Sequence, residues 1–143
     1  MSSLKSKVET AFVAVLQDAG LTPVVPGYSS AALDLPAIVC EARSMVETPL
    51  GTGNHTVRVH IAVRSPADPA EGETAADTED AHATRLAAVT AALHVDDLAA
   101  QLMHAVDDFH VFGIHNRGSE AGFDGRAYSE TLLFDLACCG TDL

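Results

Sequence analysis

The sequence predicts an α+β fold, with one mostly antiparallel sheet of about four strands packed against two or three helices in the order α-β-β-α-α-β-β. Three observations predict it. Apolar residues recur at helical spacing in Leu4, Val8, Phe12, Val15 and Leu16, and again in Leu86, Val89 and Leu93. They alternate at strand spacing in Val57, Val59, Ile61 and Val63. Clusters of glycine and proline separate these stretches. Helices laid on one face of a single sheet bury both kinds of apolar stripe at once.

The first helix is expected from about Ser3 to Ala19, and Gly20 stops it, because glycine adopts the left-handed cap without steric cost. Leu21 to Pro36 holds three prolines and is expected as an irregular connector. Ala37 to Ala42 is a short apolar run, read as a strand. Glu47 to Asn54 carries Pro49, Gly51, Gly53 and Asn54, which is turn chemistry. His55 to Arg64 is the clearest strand, with Arg58, His60 and Arg64 on the face opposite the valines. Pro66 and Pro69 end it. A second helix is expected from Thr74 or Thr78 to His94, preceded and opened by acidic residues that suit a helix N-terminus. Asp96 is expected to cap a third, short helix ending near Val106, with Leu98, Leu102 and Val106 on its apolar face. Phe109 to His115 is strand-like, Arg117 to Gly125 is read as a glycine-rich turn, and Arg126 to Cys139 as a last strand. Both faces of that strand carry apolar residues, so it is expected to be central and covered on both faces toward its end.

The chain of 143 residues fits a single domain spanning 1–143. At this size folding removes roughly two-thirds of the extended chain's surface from water, so neither a disulfide nor a structural metal is needed. Hydrophobic residues make up 48% and charged residues 20%, a globular composition. The net charge of −12 repels phosphate, which disfavours duplex binding and anionic membranes but not passage of DNA along a wall it must not stick to. Met1 to Gly20 is interrupted by Lys5, Lys7, Glu9, Gln17 and Asp18, unlike the apolar stretch of a secretion signal. The expectation is a protein made and used in the cytosol, or in a particle assembled there, with no membrane partner.

Chemistry-bearing residues do not converge. Cys40, Cys138 and Cys139 lack a CxxC spacing and read as small hydrophobes in strands. Gly27 to Ala31 resembles a nucleophile elbow with alanine in place of the last glycine, but prolines surround it. Gly51-Thr52-Gly53-Asn54 precedes a strand, so it reads as a hairpin turn and not as a nucleotide fingerprint. The seven histidines show no ligand spacing; His110 and His115, five apart, fall on opposite faces of a regular strand. Glu120 and Asp124 near His115 and Arg117 sit at an expected hairpin tip, a poor place for acid–base work. No catalytic residue, cofactor or metal site is predicted. The competing reading is a small ligand-binding protein or hydrolase that uses the 27–31 segment or the His115/Glu120/Asp124 group.

A resemblance adds to this reading. Its residues are Leu35-Pro36-Ala37-Ile38-Val39, Gly51-Thr52-Gly53-Asn54, Leu98 to Leu102, Ala105 to Phe109, Val111-Phe112-Gly113-Ile114, Arg117 to Gly122, and Gly125-Arg126. Together they resemble the small neck and tail-completion proteins of tailed bacteriophages, above all the tail terminators. The resemblance implies a structural virion protein forming a homo-oligomeric ring, usually a hexamer, on the end of a tail tube. Such a ring stops tube growth and meets neck or connector proteins, with DNA passing through its lumen unbound. It implies assembly in the host cytoplasm and a place in the virion tail or neck. Another head–tail connector or a tube subunit is the alternative within that class. The candidate subunit-interface loops are Leu50, Gly51, Thr52, Gly53 and Asn54, and Arg117, Gly118, Glu120, Gly122 and Phe123. Copies that each carry −12 repel, so contacts between them must neutralise or separate charge.

Overall fold

The computed structural model describes residues 3–21, 23–27, 34–47, 51–123 and 126–140. Helix α1 spans Leu4–Asp18. Ser3 caps it, its Oγ accepting the Ser6 N–H at 3.1 Å. Gly20 ends it with φ +86°, as its position predicts. Val8, Ala11, Phe12, Val15 and Leu16 form its buried stripe.

Strand β1, Val24–Pro26, lies within the stretch expected to be irregular. It pairs parallel with β2, Ala37–Glu47, through Val24↔Ile38. Among the described residues the sheet thus has five strands where about four were expected; it is mixed through this one parallel pair and otherwise antiparallel, as expected. Two of the five residues from 23 to 27 are Pro23 and Pro26, which hides a strand from propensity arguments. Pro26 is tolerated because β1 is an edge strand, and Pro23 lies just before the strand begins.

Strand β3 covers His55–Pro66, and Val57, Val59, Ile61 and Val63 are all fully buried. Helix α2, Ala75–Leu93, opens on a capping box. Thr74 Oγ1 accepts the Asp77 N–H at 3.3 Å, and Asp77 Oδ2 accepts the Thr74 N–H at 2.9 Å. Helix α3 covers Leu98–Ala105. Its N-cap is Asp97, not Asp96, and no side chain caps it. Asp97 Oδ1 is taken instead by Gln101 Nε2 at 2.9 Å.

Strand β4 spans Phe109–Phe123, eight residues beyond His115, and pairs antiparallel along its length with β5, Ala127–Gly140. The expected glycine-rich turn over 117–123 is therefore strand. Its glycines serve a bulge and an edge, which composition alone does not distinguish from a turn. The strand order is β1-β2-β3-β5-β4.

All three helices pack on one face of this sheet, around a core that joins Phe12 and Leu16 of α1 to Val59, Ile61 and Leu136. Strand β5 is interior in the hydrogen-bonding direction, as expected, but it is not covered on both faces. Phe134, Leu136 and Cys138 are buried under the helices, whereas Leu133, Asp135 and Ala137 opposite them are only half-buried.

Glu9 links α1 to the sheet. Its two carboxylate oxygens accept the Ala42 N–H at 2.8 Å and the Gly27 N–H at 3.2 Å. Gly27 is required there, since a Cβ would lie 2.7 Å from Glu41 Cγ. Lys7, also buried, donates from Nζ to the Asp108 carbonyl at 2.9 Å.

Candidate subunit interface

The pairing registers fix what the helix-free face of the sheet presents. Side chains alternate along each strand, so residues paired with Asp135, Leu133 and Thr131 share their face. Across the sheet the rows are Ser44–Arg58–Asp135–His115, then Glu41–His60–Leu133–Gly118, then Val39–Ala62–Thr131–Glu120. Three bulges modify this face. Arg43 in β2, and Phe112 and Arg117 in β4, are each the extra residue where the register shifts.

The Arg117 bulge carries its guanidinium to Asp135 Oδ2 at 3.0 Å, while Arg58 Nε reaches Oδ1 of the same carboxylate at 3.3 Å. Two cations thus share one anion. Gly118 follows with φ +95°, a conformation that favours glycine, and donates its N–H to Asn116 Oδ1 at 2.8 Å. Arg43 pairs with Glu41 at 3.0 Å. Burial, then the positive charge of Arg43, holds His60 below the ordinary histidine range, against the opposing charges of Glu41 and Glu120. Beside this polar array lies a shallow depression of about 370 Å³ whose lining includes the small residues Gly113 and Ala137. Phe112, 55% exposed, projects from its bulge one residue before Gly113 and meets His110 edge-on at 4.7 Å.

The Phe112 bulge also corrects an argument from spacing. His110 pairs with Cys139 and His115 with Asp135, so the extra residue puts both histidines on the same face. Four strand steps on β5 still separate them by about 13 Å, too far to share one ion. Glu120 is likewise four steps from His115 on β5, through Thr131 and Asp135, so the two are not brought together. Asp124 and Ser29 lie outside the described residues.

The two predicted loops have different characters. Leu50 lies outside the described residues. Gly51 and Gly53 fold around Glu47, whose carboxylate accepts both their N–H groups at 2.9 Å and is held below the ordinary range by those bonds. Asn54 N–H donates to Thr52 Oγ1 at 3.2 Å. That turn is therefore organised by itself. Arg117, Gly118, Glu120, Gly122 and Phe123 are exposed residues of the edge strand β4. Phe123 is 64% exposed, with its ring 5.3 Å from Tyr128.

A second polar cluster lies on the other face, and the sequence did not single it out. Ser65, 1% exposed, accepts from Arg85 Nη1 and sits 2.7 Å from His82 Nδ1. His82 stacks on Tyr128 at 5.5 Å. The cluster braces α2 against β3 and β5, and no buried side-chain polar atom among the described residues lacks a partner. Burial, then Arg85, depresses the His82 pKa. A histidine depressed in the folded state contributes full stability above its unfolded value, about 6.5. That contribution is lost as pH falls from there through the folded value. Melting temperature is therefore expected to drop less in His82→Gln than in wild type between about pH 7.5 and about pH 5. Parallel drops would show that His82 carries none of the acid sensitivity.

Cys40 and Cys138 are core residues whose thiol pKa values are raised chiefly by burial, with Glu9 adding to the effect at Cys40 and Cys139 at Cys138. No group of three or more His, Cys, Asp or Glu suited to a metal occurs among the described residues. No single helix among them is long and apolar enough to cross a membrane. Searches against protein-family models and against curated proteins find no match to this chain.

Proposed function

We propose that the protein is a structural, ring-forming component of a phage tail or neck, of the tail-terminator kind. The observation that carries this reading is the one-sided packing of the sheet. Among the described residues, three helices cover one face, while nothing covers the other face, with its arginine–aspartate array, or pairs with the outer edge of the fifteen-residue strand β4. An open edge of this length is a template for pairing with another chain. The resemblance of residues from Leu35 onward to tail-completion proteins supplies the biological class. In this reading the ring is a hexamer, caps the tail tube, meets the neck proteins and lets DNA pass. The net charge of −12 suits a lumen that DNA must not adhere to.

Light scattering and negative-stain microscopy of the purified chain test this reading. At tens of micromolar, closed rings of uniform diameter are expected. A strict monomer at every concentration, with no ring formed on added tail tubes, would overturn it.

A further inference from the structure

The chain's charge is segregated by face. Arg43, Arg58, Arg64 and Arg117 lie on the helix-free face with Glu41, Glu120 and Asp135 as its carboxylates, so this face is not acidic although the whole chain carries −12. The remaining acidity falls elsewhere. Asp68, Glu71, Glu73, Asp77, Glu79 and Asp80 form one exposed run through the start of α2, on the helix-bearing side. Two of these already have local work: Glu73 accepts the Ala70 N–H and Asp77 closes the capping box. Glu79 and Asp80 are exposed on the first turns of α2, where no described residue neutralises them, and three acids precede that helix.

We propose that the helix-free sheet face is a docking site for the acidic start of α2 of a second copy, so that copies associate head to tail. This rests on the ring reading above and names the contact that would build it. Charge complementarity selects the occupant. Arg58 and Arg117 share the single carboxylate of Asp135, leaving a net positive site, and Arg43 lies on the same face, paired with Glu41, so that three arginines there face two carboxylates. The matching anions belong to the same chain but face the opposite side of the sheet. A patch and its complement on opposite sides cannot satisfy each other in a two-fold dimer that joins like surfaces. They are satisfied by a heterologous contact, which repeats and closes into a ring when its rotation permits. One exposed ion pair contributes little, whereas an array of three arginines facing several carboxylates acts together. The contact also answers the repulsion between strongly acidic copies, since it joins a face that is not acidic to an acidic segment.

The test is sedimentation velocity of the full chain from about 50 mM to about 500 mM salt, a range over which exposed charges become screened. Arg43→Glu is the first variant, being exposed and outside the Asp135 cluster. Arg58→Glu and the pair Glu79→Lys with Asp80→Lys are the others, each checked for an unchanged circular dichroism spectrum. Self-association is expected to weaken at least about tenfold with salt and with each reversal. Combining Arg43→Glu with the two lysine substitutions is expected to restore it. Association that ignores salt and every reversal overturns this contact and leaves the ring reading standing on another surface. A wild-type chain that stays monomeric in low salt, alone and on tail tubes, overturns both.

Discussion

Phe12→Ala is expected to lower the free energy of unfolding by about 3–5 kcal/mol. Phe12 is fully buried where α1 crosses the sheet, its ring centroid 6.0 Å from that of Phe134 on β5. The substitution removes the apolar surface of the ring and leaves a cavity among Val8, Leu16 and Val59 that helix and sheet can close only in part. A domain of this kind has a total stability of about 5–15 kcal/mol, so roughly a fifth or more would be lost. Urea denaturation measures it, read from the midpoint with the slope unchanged. Phe12→Leu, which keeps most of the volume, is expected to cost under about 1.5 kcal/mol. A loss below about 1 kcal/mol in Phe12→Ala would show that α1 is not seated on Phe134.

Glu9→Ala is expected to cost about 3 kcal/mol, because it removes two hydrogen bonds to a charged acceptor at once. The Ala42 N–H is the more costly orphan, since that bond is buried and the Gly27 bond only partly so. Glu9→Gln keeps one acceptor oxygen and is expected to lose about half as much. Amide exchange separates this from a general loss of stability: Ala42 and Gly27 should exchange faster in Glu9→Ala relative to amides in the middle of β3. Unchanged protection at both would refute the assignment. The consequence reaches the open face, because Ala42 immediately precedes the Arg43 bulge. Glu9 supplies the acceptor where the strand leaves its regular course, and so helps place Arg43 beside the arginine–aspartate array.

The elements with a clear period were legible from residues alone. The valine alternation of β3, the stripe and glycine stop of α1, and the threonine at the start of α2 each express a local rule, so the helices and the strands β3 and β5 could be read without any neighbour. Fold class followed, since those stripes have one economical packing. Even a hint of the open face was present: Asp135 is a lone charge among Thr131, Leu133 and Ala137, and Arg58 and Arg64 alternate with buried valines.

What only the tertiary structure decided depends on pairing. β1 exists because β2 offers it an edge; Val24 and Val25 favour extended backbone, but a three-residue strand bounded by Pro23 and Pro26 shows no alternation to read. Residues 117–123 are strand because β5 supplies partners for them, although their glycines favour a turn in isolation. The bulges at Arg43, Phe112 and Arg117 are invisible to periodicity, since each inserts one residue and reverses the face of everything beyond it. That single-residue shift is why His110 and His115 share a face and why Arg117 meets Asp135. The helix-free face was therefore not readable from spacing: its charges are written in the sequence, but their assembly into one surface is a property of the sheet register.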